Sequence, residues 1–421
     1  MNLLSDINVH IENKRASRLF FIFMWLMYAL VYMTKNCFSG ALAAIVDEGT
    51  LTLTQATVIN AAFYVAYAPL QILGGIFADK YSPEKLITVG LIGSAVSNVV
   101  IFFNQNFYMM LVSWVFSAII QFALWPAVFK VISSQLVRSD RSKMVFYMTF
   151  SASGGLILAY AVSAFVPNWR YNFAISAIAL VVLAIALLIL CKALNPLLKK
   201  DQEPVRHEDV DHNIDHGQRI APIRIFLISG FFVVLPAIVL RMMVENGSKT
   251  LSPTMLSQSY ENITPMLGNL LNILIISSGI VGMILIKVFV FPRLIKNELV
   301  CYLILLIISL PFATVLRFVG SLPIWLAVLS LCIVSMLLSA TNLLTQYYNM
   351  HFVQYGLNGT AAGILNAAAS FGLVLQYCVF GTVADHFGWQ VVTTLWIVMI
   401  AVSAVCIAFG ILPLKRFSEK E

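Results

Sequence analysis

Three charged side chains stand where an apolar chain would not be expected to keep them. Lys35 lies within "VYMTKNCFSGALAAI", residues 31–45, and Arg241 and Glu245 lie within "VLRMMVENGSK", residues 239–249. An ion at membrane depth is costly and is normally retained because something uses it. Lysine offers a compact point charge and arginine a planar fork of donors, so together they suit a small anion. Glu245 is four residues from Arg241, the spacing at which acid and base meet on one helix face. Each cation can therefore serve an anion or only a structural pair, and the two uses can alternate. Lys130 is a further base within an apolar run. It is eight residues from Arg138, about 12 Å along a helix, and is placed to receive or release an anion rather than hold it centrally. Tyr67, Gln71, Gln121, Ser151, Asn342, Gln346, Asn366 and Gln376 are weaker candidates, each equally suited to hydrogen bonding between helices. There is no nucleotide loop, no Ser/His/Asp arrangement and no Cys or His spacing suited to a metal. No enzyme activity, cofactor or metal is expected.

The elements that must position these residues are membrane helices. The 421 residues are 60% hydrophobic and only 11% charged, more apolar surface than a soluble protein of this size can hide. Twelve runs reach spanning length: 18–46, 53–78, 85–103, 106–136, 143–166, 170–194, 224–256, 267–291, 297–318, 322–349, 358–384 and 389–413. The first run is too long for a signal peptide, so no cleavage is expected. All six cysteines fall within runs, leaving none for an extracellular disulfide.

Orientation follows from the basic residues. Twenty of the 26 fall on the side of the termini, including Lys14, Arg15, Arg18, Lys80 and Lys415. The opposite side has only Arg170, Lys249 and Arg317, which leaves Lys35, Lys130 and Arg241 inside spans. By the positive-inside rule both termini are cytoplasmic, and the net charge of +7 reflects topology rather than nucleic-acid binding.

The polar stretch 195–223, with histidines at 207, 212 and 216, reads as a cytoplasmic linker that divides the spans six and six. The expected organisation is a six-helix bundle over 1–194, the linker, and a second bundle over 224–421. The halves also look alike. "SGGLILAY" at 153–160 recurs as "SFGLVLQY" at 370–377, and a tryptophan follows each, Trp169 and Trp389. Lys35 is seventeen residues past Arg18, and Arg241 is seventeen past Arg224. Both therefore lie about 26 Å along the first helix of their half. Two parallel repeats related by a pseudo-twofold would place a substrate near the midplane between them.

"GGIFADKYSPEKL", residues 74–86, resembles the loop signature of the major facilitator superfamily, with Gly75, Asp79, Lys80 and Lys85 in place and Glu84 where a base is common. The resemblance implies a latch on the cytoplasmic side, formed by Asp79, Lys80 and Gly75. Several stretches further resemble the organophosphate:phosphate antiporter family, whose members include glycerol phosphate and hexose phosphate transporters. "KNCFSGALAAI" (35–45) places Lys35 on a family arginine, and "AYAPLQILGGIFADK" (66–80) places Tyr67 on a family tyrosine and Gln71 where Lys or Gln is held. "ALWPAVFKVISSQL" (123–136), "GTAAGILNAAASFG" (359–372) and "DHFGW" (385–389) resemble its fourth helix, its eleventh helix and the following loop. Lys130 matches a basic residue of that fourth helix.

The sequence departs from this family at two places. Without gaps, Glu245 stands where the family carries its second substrate arginine, one helical turn after Arg241. Ser151 replaces a phosphate-contacting histidine. The resemblance implies a monomeric inner-membrane carrier, without cofactor, that exchanges a phosphate ester for phosphate. The alternatives are a carboxylate or sugar-acid symporter, a proton-driven drug exporter and a transporter-like ligand sensor.

Overall fold

The computed structural model describes residues 9–11, 13–135, 138–194, 198–200, 222–355 and 357–418. Fifteen α-helices are present among them. The first seven are α1 (Lys14–Asp47), α2 (Leu53–Lys80), α3 (Pro83–Phe103), α4 (Phe107–Ile120), α5 (Leu124–Gln135), α6 (Arg138–Phe165) and α7 (Arg170–Leu194). The remainder are α8 (Pro222–Ile228), α9 (Phe231–Thr250), α10 (Ser252–Ser259), α11 (Pro265–Leu285), α12 (Glu298–Leu316), α13 (Ile324–Met350), α14 (Asn358–Phe387) and α15 (Trp389–Ser418). Ten helical stretches among the described residues are long and apolar enough to cross a membrane. The other two expected spans coincide with α2 and α6.

Helix ends in such a chain must satisfy their own backbone groups. Asn106, Thr264 and Asn297 each cap a helix by accepting a backbone N–H, from Tyr108, Leu267 and Val300. Pro83 and Pro265 occupy first-turn positions, where a missing N–H costs nothing. Two expected spans are interrupted. The fourth breaks between α4 and α5 over 121–123, because Pro126 cannot donate to the Phe122 carbonyl one turn back and its ring would strike it. The seventh breaks between α8 and α9 at Gly230, whose φ of 75° disfavours any residue with a Cβ. It breaks again ahead of Pro253, near the start of α10.

Small and polar residues contribute to helix contacts where large apolar ones face outward. Along α7, Asn172, Ser176, Ala177 and Ala184 are buried, whereas Ile178, Val182, Ile185 and Ile189 are exposed. By its contacts the chain divides into two compact units, Met1–Ala41 with Ala62–Gly217, and Leu42–Ala61 with Gln218–Glu421. In the first unit α3 packs on α7. In the second, α13 packs on α11 and α12, and α9 on α14 and α15.

By its contacts, the segment Leu42–Ala61, which joins the end of α1 to the start of α2, falls in the second unit. The reason is local: Gly381 approaches so closely that a Cβ there would lie 2.0 Å from Thr57 Oγ1, and Asp385 Oδ2 accepts from the Thr54 N–H at 2.6 Å. The expected linker also contains structure. Leu198–Lys200 (β2) pairs antiparallel with Val9–Ile11 (β1), a two-stranded departure from an otherwise helical architecture. Backbone pairing and the fully buried side chain of Ile11 hold it. The linker histidines lie outside the described residues.

Candidate anion-binding site

In the first unit, Lys35 is 8% exposed and enclosed by aromatic rings. Tyr32 lies one turn earlier on α1, and Phe63, Tyr64 and Tyr67 follow i, i+1, i+4 spacing along α2. The Lys35 Nζ is 3.6 Å from the Tyr67 ring centroid, 5.4 Å from that of Phe63, 5.5 Å from that of Tyr32 and 5.6 Å from that of Tyr64. Among the described residues it has no hydrogen-bond acceptor and no carboxylate. A desolvated cation–π contact is worth about 2 kcal/mol. Removing an ammonium from water costs several kcal/mol even after relaxation. The rings therefore shelter the charge without neutralising it.

The second aromatic layer follows from the break at Pro126. It turns α5 so that Trp125 packs against Tyr28, with ring centroids 4.6 Å apart and planes tilted by 42°, and Tyr28 in turn lies 5.5 Å from Tyr32. Gly155 brings α6 against α1: a Cβ there would lie 2.2 Å from the Ala29 carbonyl. The repeated motif does the same in the second unit, where a Cβ at Gly372 would lie 2.6 Å from the Val239 carbonyl of α9. Offset by 217 residues, the two glycines seat the fifth span of each half on its first.

In the second unit, Arg241 is 1% and Glu245 4% exposed. The Arg241 Nη1 donates to the Glu245 carboxylate and, at 2.7 Å, to Asn342 Oδ1 on α13, while its Nε donates to the Tyr302 hydroxyl on α12 at 3.3 Å. Nη2 has no acceptor among the described residues. Glu245 also accepts from Lys249 Nζ at 2.6 Å, from Ser339 Oγ at 3.0 Å and from Asn342 Nδ2 at 3.0 and 3.1 Å. The cluster thus holds two cations and one carboxylate, with one net positive charge.

The basic-residue count put Lys249 on the side opposite the termini. Helix α9 runs on to Thr250, and Lys249 reaches back one turn to Glu245. The i, i+4, i+8 series Arg241, Glu245, Lys249 was the signal that could have shown it. Ser339 and Tyr302 carried no such signal, since only packing brings α12 and α13 to α9.

The remaining candidates separate. Tyr67 joins the Lys35 cage, and Asn342 joins Arg241. Ser151 is fully buried and donates to the Met148 carbonyl of its own helix at 2.6 Å. Gln121 bonds Ser117, and Gln376 accepts from Asn246. Gln71, Gln346 and Asn366 are exposed. Lys130 Nζ donates to the Ala78 carbonyl at 2.6 Å, in the last turn of α2, where a cation also complements the helix dipole. Lys80 is exposed, 5.9 Å from the Tyr81 ring. Gly75 lies within α2, and the Asp79 side chain lies outside the described residues. An open pocket lined by Ser259, Gly320, Phe387 and Trp389 contains no charged group and is no part of the site. Among the described residues no His, Cys, Asp or Glu grouping could hold a metal.

Comparison with known proteins agrees with this architecture. Residues 24–377 match the model of the Major Facilitator Superfamily. The chain belongs to that superfamily. Among characterised relatives, the membrane sensor protein UhpC of Escherichia coli K12 is 25% identical over 167 residues, 39% of this chain and 38% of that protein. The probable hexose phosphate transport protein of Chlamydia trachomatis is 22% identical over 139 residues, 32% of this chain and 30% of that protein. The probable sulfoacetate transporter SauU of Cupriavidus necator is 41% identical over 66 residues, 16% of this chain and 15% of that protein. The matches therefore span well under half the length of these relatives. A bacterial homologue of the lysosomal transporter Spinster, solved inward-facing and occupied, superposes with a TM-score of 0.75 at 13% identity, covering 96% of this chain and 98% of that one. At that identity the likeness concerns the fold alone.

Proposed function

We propose that the protein is a secondary transporter of a small organic anion, a phosphate ester exchanged for phosphate, working by alternating access. The observation that carries this reading is Lys35, a buried ammonium sheltered by four rings and lacking any counter-ion among the described residues. Arg241, at the matching sequence depth of the second half, has an unspent Nη2. An anion would satisfy either group. The hexose phosphate and sulfoacetate relatives support an anionic substrate by their names. The test is counterflow in proteoliposomes: labelled phosphate should exchange for phosphate or glycerol 3-phosphate in wild type and not in Lys35→Ala. Equal exchange by that variant would remove Lys35 from the site.

The reading includes an inner-membrane location with both termini cytoplasmic. Cysteines placed at Asn104 and Ser418 in a background without native cysteines should label from opposite sides of intact cells. Labelling from one side would overturn the span count. It also makes Asp79, with Gly75 and Lys80, a gating latch. Asp79→Asn should slow turnover several-fold with little change in substrate affinity. A change in affinity alone would sink the latch.

A second reading has its own support. The match to UhpC, a membrane sensor by name, favours a chain that binds the anion and signals. Binding with no measurable flux would select it.

A further inference from the structure

Glu245 raises a difficulty for any anion that is to reach Arg241. The carboxylate already occupies Arg241 Nη1, and drawing the guanidinium away would leave a buried charge without a partner. The structure provides a second partner. Lys249 Nζ holds Glu245 Oε1 at 2.6 Å and is itself seated on Ser339 Oγ at 2.8 Å. Its helix position is fixed as well, since Asn272 Nδ2 on α11 donates to the Lys249 carbonyl at 2.6 Å.

We infer that Lys249 is a positioning residue that retains Glu245 when Arg241 turns to the substrate. The anion then binds without Glu245 having to take up a proton. The inference rests on the anion-transport reading for its purpose, but its electrostatics do not. The groups facing Glu245 are Arg241 and Lys249 on α9, Ser339 and Asn342 on α13, and Tyr302 on α12 through Arg241. Among the described residues, the polar groups that α11 and α14 bring to neighbouring positions of α9 are neutral: Asn272 on the Lys249 carbonyl and Gln376 on Asn246. Lys249 is therefore the one cation besides Arg241 that faces Glu245 among the described residues.

Without Lys249, the only cation facing Glu245 among the described residues is Arg241, Ser339 and Asn342 being neutral donors. The pair locks, and anion binding then requires a neutral Glu245, which acid supplies. Lys249→Met should weaken binding of inorganic phosphate or glycerol 3-phosphate at least tenfold at pH 7.5 and recover most of it at pH 5.5. The wild type should change little over that range beyond the protonation of the probe itself, which glycerol 3-phosphate and phosphate share across all variants. Lys249→Arg should bind as wild type, and Lys249→Met with Glu245→Gln should bind at both pH values. If the double variant stays weak at both, Lys249 contacts the anion directly or serves only packing, and the inference is overturned.

A second arm needs no ligand. In detergent, Arg241→Met should have a thermal midpoint nearly independent of pH between 5.5 and 7.5, because Lys249 still holds the carboxylate. Arg241→Met with Lys249→Met should melt several degrees lower at pH 7.5 than at 5.5. An orphaned carboxylate that prefers its proton stabilises the fold at low pH, and this is lost as pH rises. Acid rescue already present in Arg241→Met alone would overturn the inference. Failure of the wild type to bind either probe would instead count against the transport reading, and the thermal arm would still decide the role of Lys249.

Discussion

Lys35 and Arg241 solve one problem in two ways. Arg241 is neutralised by an acid carried on its own helix, whereas Lys35 is only screened by ring faces. The difference predicts unequal responses at Tyr67, the closest ring at 3.6 Å. Tyr67→Phe keeps the face and should leave transport within about threefold. Tyr67→Leu loses a contact worth about 1–2 kcal/mol and should lower substrate affinity or thermal stability measurably. Equal effects of the two would mean that the phenol hydroxyl, not the ring, matters. Lys35, Arg241 and Glu245 stand out in the sequence as charges inside apolar runs, and all three are buried. Of the neutral candidates, Tyr67 lies beside Lys35 and Asn342 beside Arg241, but sequence did not separate them from the rest. Whether Ser151 turns to its own backbone or Gln346 to the surface depends on side-chain direction, which composition does not encode.

At the scale of elements, spacing predicted helices well and interruptions poorly. The runs at 106–136 and 224–256 read as continuous because hydropathy averages over Pro126, Gly230 and Pro253. The backbone cannot average over them. The recurring Ser-x-Gly motif was visible as a repeat, but its purpose needed the structure: close approach of α6 to α1 and of α14 to α9. Gly155→Leu or Gly372→Leu should therefore destabilise by about 1–3 kcal/mol or more through overpacking, measured as a loss of several degrees in thermal midpoint. Gly363 is a control from the motif "GTAAGILN", since nothing lies within 4 Å of a Cβ there. Gly363→Ala should be neutral or slightly stabilising, as expected for alanine within a helix. A large loss at Gly363 with tolerance at Gly155 would invert the packing argument.

For the whole molecule, the division into units does not follow the division of the sequence. The second unit includes Leu42–Ala61, whose Thr57 fits against Gly381 and whose Thr54 N–H is capped by Asp385. Residues 218–421 produced alone should accordingly be protease-sensitive around the end of α14, and co-production with residues 1–217 should restore protection. Equal resistance with and without the first piece would show that the borrowed turn adds nothing. The same arrangement has a consequence for how the chain is made. Thr54 and Asp385 are 331 residues apart, and a ribosome emitting about 5–20 residues per second needs roughly 15–65 s to supply the second after the first. For that interval the Thr54 N–H lacks the carboxylate that caps it in the finished fold. The helices synthesised last complete a contact that the first two have held open since the start of translation.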